Sequence, residues 1–524
     1  MKKLAIIFLA MVMLFSMAVP AFATTLTITD SSNRTYAGYQ LLTLTTSVKA
    51  DDNCEEGTAH TDACYNYAYS VNEDYRAILQ AETFSNWNGE DKPADATAVT
   101  DAQILAFLAG LSSDTDGTPG SLRPVADSIY RAIQEENIKA DAANLTGTDD
   151  EIAQGYWLIA DVTDLSEDND ANSLVMVDTK GQTSITINPK TALPTVEKKV
   201  LDINDSTDGD ITDNAWQDSA DHDIGDDVSF KLTATLPSNI ASYESYQLIF
   251  HDTLSAGLTL KADTIKVYMY KNAADALAES DATDVTANFT PPKTQDCDCT
   301  FEVGCTDILV ITGVTKDTVF VVTYDATLNE NAEIGAAGNP NEVYLEFSND
   351  PYSDGTGKTE EDTVIVFTYQ VIINKIDGAT QEELEGAGFI LYKKNDAGVY
   401  EAIGDEQKGG TTFTWTGLDD GDYKLEEKTV PAGYNKMADI EFTITAEHDE
   451  ESDNPALTAL DGGTLSTGVV ATGAIERDIE NRTGTILPET GAEGTLWLIG
   501  SCSVLALMAA VFMITRKKMS VYED

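Results

Sequence analysis

Short segments in which apolar and polar residues alternate recur along most of this chain, and they constrain its fold more than any other feature. In the central part these segments read DDVSFKLTATL, YQLIFHDTL, TIKVYMY, DILVITGV, TVFVVTYDATL and EVYLEFS, and stretches rich in Asp, Gly and Asn separate them. Alternation with a period of two places successive side chains on opposite faces of a strand. Regularly spaced short strands predict a mainly β chain built from β-sandwiches.

The strand pattern divides into three blocks. The first, residues 24–190, also has helical spacing in TDAQILAFLAGL and PVADSIYRAIQEENI, so we predict a β-domain with a helical insertion. The second block, residues 191–367, and the third, residues 368–485, show strand patterns. At about 150 residues per domain, residues 24–490 suffice for three domains in tandem.

Both ends of the chain contain apolar segments. Residues 1–23 have a basic start, an apolar stretch and the small-residue cleavage signal A-F-A, which is typical of a secretory signal peptide. Residues 496–514 are apolar and uncharged, and the basic sequence RKK follows shortly after. Their length suits one membrane crossing, and the basic residues predict that the C-terminal end faces the cytoplasm.

The chain is strongly acidic. It contains 89 Asp and Glu residues against 32 Lys and Arg residues, which gives a formal net charge of −57. This charge excludes nucleic acid and anionic membrane surfaces as natural partners, and it suits a soluble, self-repelling surface protein.

The motif LPETG precedes the apolar C-terminal segment. In a chain with a secretory signal, the order of motif, apolar segment and basic tail resembles the cell-wall sorting signal of Gram-positive bacteria, here residues 486–524. The resemblance implies that a sortase cysteine attacks the carbonyl of Thr490 and releases Gly491 onward, so that the membrane segment is transient. The motif residues are Leu487, Pro488, Glu489, Thr490 and Gly491.

The third block places a lysine, a glutamate and an asparagine on inward strand faces. Lys375 shares a face with the apolar residues of VIINKID, Glu427 with the leucine of YKLEE, and Asn481 with an isoleucine of IERDIENRT. Burial favours the neutral, nucleophilic lysine amine, and we expect Glu427 to carry a proton because an unpaired buried carboxylate is costly. A buried Lys375–Glu427 salt bridge beside an unrelated surface asparagine is the alternative.

The segment YKLEEKTVPAGY resembles the E-box of Gram-positive pilins, with Val430 where alanine is usual. With the lysine and the asparagine it resembles the intramolecular isopeptide sites of immunoglobulin-like, collagen-adhesin B-type domains. The resemblance implies that the Lys375 amine attacks the side-chain carbonyl of Asn481. Protonated Glu427 then polarises that carbonyl and shuttles protons, and ammonia leaves.

The second block also contains a lysine, an acid and an asparagine in strand segments. The segment PTVEKKV puts Lys198 on the face of its two valines and Lys199 on the opposite face, and Lys199 is the alternative to Lys198 for this site. LIFHDTLSAGLTL resembles the aspartate segment of pilin middle domains, with Asp252 as the acid, and GNPNEVYLEFSNDP resembles their closing strand. Periodicity does not choose between Asn341 and Asn349. Likeness to related strand starts favours Asn341 and a Lys198–Asn341 bond, and Asn349 is expected to cap the following turn.

The first block ends in TINPK, which resembles the pilin motif of backbone pilins, with Asn188 where tyrosine is usual. Two nearby prolines hold the segment extended and present Lys190 outward. The resemblance implies that Lys190 of one subunit attacks the sortase thioester at Thr490 of another. This head-to-tail linkage does not close on itself, so it builds a filament. An ordinary surface lysine is the alternative.

The chain has six cysteines. Cys54 and Cys64 bracket a short acidic loop and are candidates for a disulfide. Cys297, Cys299 and Cys305 lie close together, but the chain has no C-x-x-C, and no histidine lies near them in sequence. We therefore predict no metal site and no cofactor.

The resemblances cover nearly the whole chain and imply a major, or backbone, pilin that is anchored to the cell wall and is not a turnover enzyme. The implied partners are a class C pilus sortase, identical subunits, minor tip and base pilins, and peptidoglycan through a housekeeping sortase. The alternative is a monomeric wall-anchored adhesin for a host or dietary ligand. It would share the signal peptide, sandwiches and sorting signal but would not use Lys190.

Overall fold

The computed structural model describes residues 23–29, 31–48, 65–113, 120–165, 169–189, 192–202, 216–290, 297–395 and 397–484. Within these ranges the chain is mainly β, as predicted, and most of its helical residues lie in the first block. The predicted sorting signal and nearly all of the predicted signal peptide lie outside these ranges. Among the described residues, no helix has the length and apolar character needed to cross a membrane.

The described residues form two compact units. The first unit contains the described residues as far as Thr368 together with His448–Thr458, and the second contains those of Tyr369–Glu447 and from Ala459 onward. The first two predicted blocks therefore fall in one unit.

The first block is a layered β-structure with three main helices. Its strands are β1 (Ala23–Ile28), β2 (Tyr36–Val48), β3 (Tyr65–Val71), β4 (Ala142–Leu145), β5 (Asp150–Ala153), β6 (Gly155–Asp161), β7 (Leu174–Asp178) and β8 (Ser184–Ile187). Its helices are α1 (Arg76–Ser85), α2 (Asp101–Ala109) and α3 (Leu122–Glu135). One sheet has the order β3-β2-β6-β7, with β4 paired to β2, and the other has the order β5-β1-β8.

Strand β6 explains how these layers assemble. Trp157 and Ile159 belong to the apolar cluster formed with the small sheet, whereas Leu158 and Ala160 belong to the cluster formed with the helices. Because successive residues of a strand point to opposite faces, a strand covered on both faces needs a nearly continuous apolar run. The sequence GYWLIAD supplies that run.

The second block is a sandwich of two sheets. Its strands are β9 (Thr195–Leu201), β10 (Trp216–Gln217), β11 (Ser219–Asp221), β12 (Asp227–Thr235), β13 (Leu248–Leu254), β14 (Leu258–Tyr270), β15 (Thr283–Asp284), β16 (Phe301–Cys305), β17 (Val319–Leu328), β18 (Asn339–Ser348), β19 (Thr356–Lys358) and β20 (Asp362–Phe367), with one short helix, α4 (Ala273–Leu277). The sheet orders are β10-β9-β12-β17-β14-β15 and β11-β20-β18-β13-β16, with β19 paired to β18.

Inward residues of both sheets fill the core of this sandwich. Phe230 and Val322 come from the first sheet, and Phe250, Leu345 and Val364 come from the second. This apolar layer encloses the few polar side chains that the strands turn inward.

The segment DILVITGV, predicted to be a strand, folds differently. Ile308–Val310 forms a short 3-10 helix. The Asp307 side chain causes this turn, because its Oδ1 accepts hydrogen bonds from the backbone N–H groups of Leu309 and Tyr246. A side-chain oxygen that binds nearby backbone N–H groups offers the backbone an alternative to a β-ladder.

The third block has strands β21 (Tyr369–Asp377), β22 (Gly388–Lys394), β23 (Tyr400–Ala402), β24 (Gln407–Lys408), β25 (Thr412–Leu418), β26 (Gly421–Thr429), β27 (Ile440–His448), β28 (Leu457–Asp461) and β29 (Ala474–Asn481). One sheet has the order β25-β21-β29, and the other has the order β23-β22-β26-β27-β28, with β24 paired to β22. The first and last strands of the block pair in parallel, with Lys375 opposite Ile479 and Asp377 opposite Asn481.

Candidate functional site

Strand β9 carries Lys198 into the core of the second block. Lys198 and Val200 are buried while Thr195 and Glu197 are exposed, as expected for alternating strand faces. In the pairing of β9 with β12, Lys198 lies opposite Leu232, which has no exposed surface. The lysine amine therefore enters an apolar sandwich rather than solvent.

Two polar side chains from the other sheet meet this amine. Lys198 Nζ lies 2.6 Å from Asp252 Oδ2 and 2.6 Å from Asn341 Oδ1. Lys198, Asp252 and Asn341 all have a relative exposure of 0%. Asp252 lies on β13 and Asn341 on β18, which are neighbours in their sheet, so the cluster joins one sheet of the sandwich to the other.

Tyr324, which the sequence did not single out, completes the cluster. Its hydroxyl donates to Asp252 Oδ2 at 2.9 Å and accepts from Asn341 Nδ2 at 2.8 Å. The ring stacks on Phe230, with 5.3 Å between ring centroids. The tyrosine thus orients the Asn341 amide so that its carbonyl oxygen faces the lysine.

Burial pushes the acid and the base of this cluster towards their neutral forms. It lowers the pKa of Lys198 and raises the pKa of Asp252, and the attraction between the two groups opposes both shifts. With neither side chain exposed to water, a neutral amine beside a protonated carboxyl is favoured over two buried charges. A neutral amine next to an amide carbonyl is a nucleophile in position to attack.

The two residues left as alternatives for this cluster lie elsewhere. Lys199 points away from the core, and its Nζ lies 2.8 Å from Asp218 Oδ1. Asn349 lies near the far end of β18, and its side-chain amide donates to the Leu165 carbonyl at 2.8 Å. In this structure Lys198 and Asn341 meet, whereas Lys199 and Asn349 have other partners.

In the third block, Lys375 and Asn481 lie on paired strands. Lys375 is buried in the alternating pattern of β21, and its Nζ donates to the Ile479 carbonyl at 2.8 Å and to the Ile376 carbonyl at 3.2 Å. Because Asn481 follows Ile479 by two residues on the paired strand, it lies diagonally across from the lysine on the same face. Burial lowers the pKa of Lys375, while the nearby Glu427 opposes this shift.

Glu427 connects Asn481 to the turn of the predicted E-box. Its Oε1 accepts from Asn481 Nδ2 at 2.6 Å, and its Oε2 accepts from the Met437 backbone N–H at 2.9 Å. The turn depends on Gly433, whose φ of +89° is a left-handed conformation that favours glycine. The PAGY sequence therefore bends the chain so that backbone reaches the buried carboxylate.

The Lys375, Glu427 and Asn481 cluster of the third block has fewer hydrogen bonds between its members than the Lys198, Asp252 and Asn341 cluster of the second block. Among the described residues, no hydrogen bond links Lys375 to Asn481, and Asn481 Oδ1 is buried without a hydrogen-bond partner. The amine, the acid and the amide are nevertheless brought to one place in the core, and an unpaired carbonyl oxygen can accept a proton or a hydrogen bond during reaction.

Several predicted site residues lie outside the described residues. They are Lys190, the predicted disulfide partners Cys54 and Cys64, and the sorting motif Leu487, Pro488, Glu489, Thr490 and Gly491.

The sequence argument that no histidine lies near the clustered cysteines was wrong in space. His251 Nδ1 lies 3.7 Å from Cys299 Sγ, because β13 pairs with β16 and brings the histidine to the residues that precede β16. Cys297 and Cys299 are joined as a disulfide, and Cys305 is a buried free thiol.

Comparisons with known proteins agree with the resemblance drawn from the motifs. Residues 369–454 match the family model described as "SpaA: Prealbumin-like fold domain". The chain is homologous to the trypsin-resistant surface T6 protein of Streptococcus pyogenes serotype M6, with 27% identity over 279 residues. That match covers 51% of this chain and 48% of the T6 protein, so the chain spans about half the length of this relative.

Solved structures of major pilins are also similar. The T6 backbone pilin of Streptococcus pyogenes matches with a TM-score of 0.48 and 17% identity, over 88% of this chain and 99% of the pilin. The pilus 2b backbone protein of group B streptococcus matches with a TM-score of 0.37 and 22% identity, over 51% of this chain and 97% of that protein. The major pilin BcpA of Bacillus cereus matches with a TM-score of 0.37 and 17% identity, over 66% and 91% of the two chains.

Proposed function

We propose that this chain is the shaft subunit of a covalent pilus on the surface of a Gram-positive bacterium. A pilus sortase joins Thr490 of one subunit to Lys190 of another, and a housekeeping sortase attaches the finished polymer to peptidoglycan. Lysine–asparagine isopeptide bonds, Lys198–Asn341 and Lys375–Asn481, stabilise each subunit internally. Homology to the streptococcal T6 protein supports the shaft role.

The contact of Lys198 with Asn341 carries the proposal. An ordinary buried ion pair needs only a lysine and an acid, and here the lysine amine also lies 2.6 Å from the oxygen of a buried amide. Tyr324 holds this amide in place by accepting from its nitrogen, and Asp252 accepts hydrogen bonds from both the lysine amine and the Tyr324 hydroxyl. The geometry fits acyl transfer from Asn341 to Lys198 better than it fits a simple salt bridge.

The reaction proceeds by nucleophilic attack within the core. The neutral Lys198 amine adds to Cγ of Asn341, and the protonated Asp252 carboxyl stabilises the oxygen as it gains negative charge. Asp252 then passes a proton from the lysine nitrogen to the amide nitrogen, and the C–N bond of the asparagine breaks. One amide replaces another, and one ammonia leaves with a mass of about 17 Da.

Glu427 has the corresponding role in the third block. It already binds the nitrogen of Asn481, which becomes the leaving ammonia, and it can carry a proton from the Lys375 nitrogen to that nitrogen. Each bond forms once in the life of the chain, so the acids act in a single turnover and the chain is not an enzyme in the usual sense.

Two experiments test the proposal. The intact mass of the chain reports the internal bonds, and co-expression with the cognate pilus sortase reports polymerisation through Lys190. Two internal bonds predict a mass about 34 Da below that of the sequence, and a chain that remains monomeric beside the sortase would favour the adhesin alternative.

A further inference from the structure

We propose that Cys297, Cys299, His251 and Glu302 bind a Zn²⁺ ion when both thiols are reduced. Each residue offers one ligand atom, and the four atoms all lie within 4.8 Å of one another. Two thiolates, an imidazole and a carboxylate are ligands that zinc accepts in tetrahedral sites. The site lies on the outer face of the second sheet and is separate from the isopeptide cluster inside the sandwich.

Two distances between ligand atoms fit a tetrahedral ion, and the two sulfur atoms, which are bonded in the disulfide, separate when it is reduced. Zinc–ligand bonds of about 2.0–2.3 Å place neighbouring ligand atoms about 3.3–3.8 Å apart. Cys299 Sγ lies 3.7 Å from His251 Nδ1, and His251 Nδ1 lies 3.5 Å from Glu302 Oε1. One ring nitrogen therefore faces both a sulfur and a carboxylate at the spacing that a shared metal requires.

The surroundings of His251 are also those of a metal ligand. Its other ring nitrogen, Nε2, lies 3.3 Å from Glu346 Oε2, and Gln247 holds the other oxygen of that carboxylate with a hydrogen bond of 2.8 Å. The ring stacks on Tyr344 with 4.6 Å between centroids, which fixes its orientation. A carboxylate on the far nitrogen is the usual support of a zinc-bound histidine.

A backbone hydrogen bond also stabilises one of the two sulfur atoms. The backbone N–H of Cys299 donates to Cys297 Sγ at 3.2 Å, and such hydrogen bonds stabilise metal-bound thiolates. A divalent cation at this place would offset the cost of removing the Glu302 carboxylate and the thiolates from water.

The structure contains the disulfide, so the site forms only after a thiol reductant supplies two electrons and two protons and is itself oxidised to a disulfide. Zinc binding by the two reduced thiols then needs no further oxidant or reductant. Each thiol loses its proton to solvent as its zinc–sulfur bond forms, and the histidine binds through neutral Nδ1. The disulfide between Cys297 and Cys299 is the competing form and cannot bind the ion. Zinc would thus fasten residues 297–299 onto β13, the strand that also holds Asp252 on its inner face.

The test uses the full chain, purified under reducing conditions, freed of metal and then equilibrated with Zn²⁺. We expect about one zinc per chain by elemental analysis. Replacement of Zn²⁺ by Co²⁺ should give the charge-transfer absorption of thiolate-bound cobalt. Cys299→Ser and His251→Ala should lose stoichiometric binding, and Glu346→Gln should weaken zinc affinity by about 10- to 100-fold.

Cys305→Ala is the matched control, because it removes the buried thiol that is not part of the cluster. It should keep one zinc per chain. The circular dichroism of each variant shows whether it has folded, and Glu346→Gln leaves all four ligands in place if a ligand variant fails to fold. Absence of zinc from wild-type chain whose thiols titrate as reduced would overturn the site, as would equal binding by the wild type and folded Cys299→Ser.

Discussion

Lys198 Nζ and Asn341 Oδ1 lie 2.6 Å apart at the centre of the second block, although 143 positions separate the two residues in sequence. The lysine belongs to one sheet of the sandwich and the asparagine to the other. A covalent bond here would join the two sheets directly, and tension applied along the chain could not separate them by breaking hydrogen bonds alone.

The first prediction concerns stability. Asn341→Ala removes the acyl donor, so the internal bond does not form. The unfolded chain then has more conformational entropy than the cross-linked chain, and this favours unfolding. For a loop of this length the chain-entropy model gives about 5 kcal/mol. We expect the free energy of unfolding of this variant to fall by at least that amount, measured by denaturant titration. Asn349→Ala, one residue beyond the end of the same strand, is the control and should keep the internal bond.

The second prediction concerns pH. In Asp252→Ala the bond should not form, and Lys198 remains buried without its acid. Burial lowers its pKa in the folded state, whereas the unfolded lysine titrates near 10.4, about its model-peptide value. Between these two pKa values the unfolded state binds one more proton, so stability rises with pH by up to about 1.4 kcal/mol per unit.

The control for this slope is the double variant Lys198→Met, Asp252→Ala, which has no buried amine. Denaturant titrations of both variants from neutral to alkaline pH should show the extra slope only in the variant that retains Lys198. Parallel pH profiles in the two variants would contradict a lysine held neutral in the core.

The third prediction concerns Tyr324. Tyr324→Phe keeps the ring against Phe230 but leaves the Asn341 nitrogen and the Asp252 carboxyl without the hydroxyl. Loss of a hydrogen bond of about 1–1.5 kcal/mol should slow formation of the Lys198–Asn341 bond roughly tenfold. The measurement follows the mass of newly folded chain with time.

A second tyrosine provides the matched control. Tyr246 is fully buried, and its hydroxyl has no hydrogen-bond partner among the described residues. Tyr246→Phe should therefore form the bond at the wild-type rate. An unchanged time course in Tyr324→Phe would show that the tyrosine only fills space.

The fourth prediction concerns polymerisation. Co-expression of the chain with its pilus sortase should give a ladder of products that resists SDS, and Lys190→Ala should abolish it. Lys180→Ala, a lysine of the same block, should leave it intact. A ladder that persists in Lys190→Ala would reject this linkage site, and wild-type chain that stays monomeric would favour an adhesin.

Most strands could be predicted from the sequence because alternation is a local signal. In the segments that include Lys198, Lys375 and Glu427, the alternation of strand faces alone predicts that these side chains point inward. All three are buried. The sequence pattern does not predict helix α1. It predicts a strand where Ile308–Val310 forms a 3-10 turn, because a capping aspartate changes the backbone without altering the apolar pattern.

The remaining parts of the sites depend on pairing between strands distant in sequence. Tyr324 occupies an inward position of β17 that any aromatic core residue could fill, so nothing local identifies its hydroxyl as part of a cluster. The same holds for His251, which reaches Cys299 only through the pairing of β13 with β16. The alternation of strand faces also places Asn341 and Asn349 on the same face. Only the packing of the two sheets shows which of them meets Lys198.

The intact mass of the full chain tests the central claim most directly. Two internal bonds predict a mass below that of the encoded sequence by two ammonia molecules, about 34 Da. Lys198→Ala and Glu427→Ala should each show one loss, while Lys199→Ala should keep two. Tandem mass spectrometry should find Lys198 joined to Asn341 and Lys375 joined to Asn481. A wild-type chain with the full mass of its sequence would contradict the account.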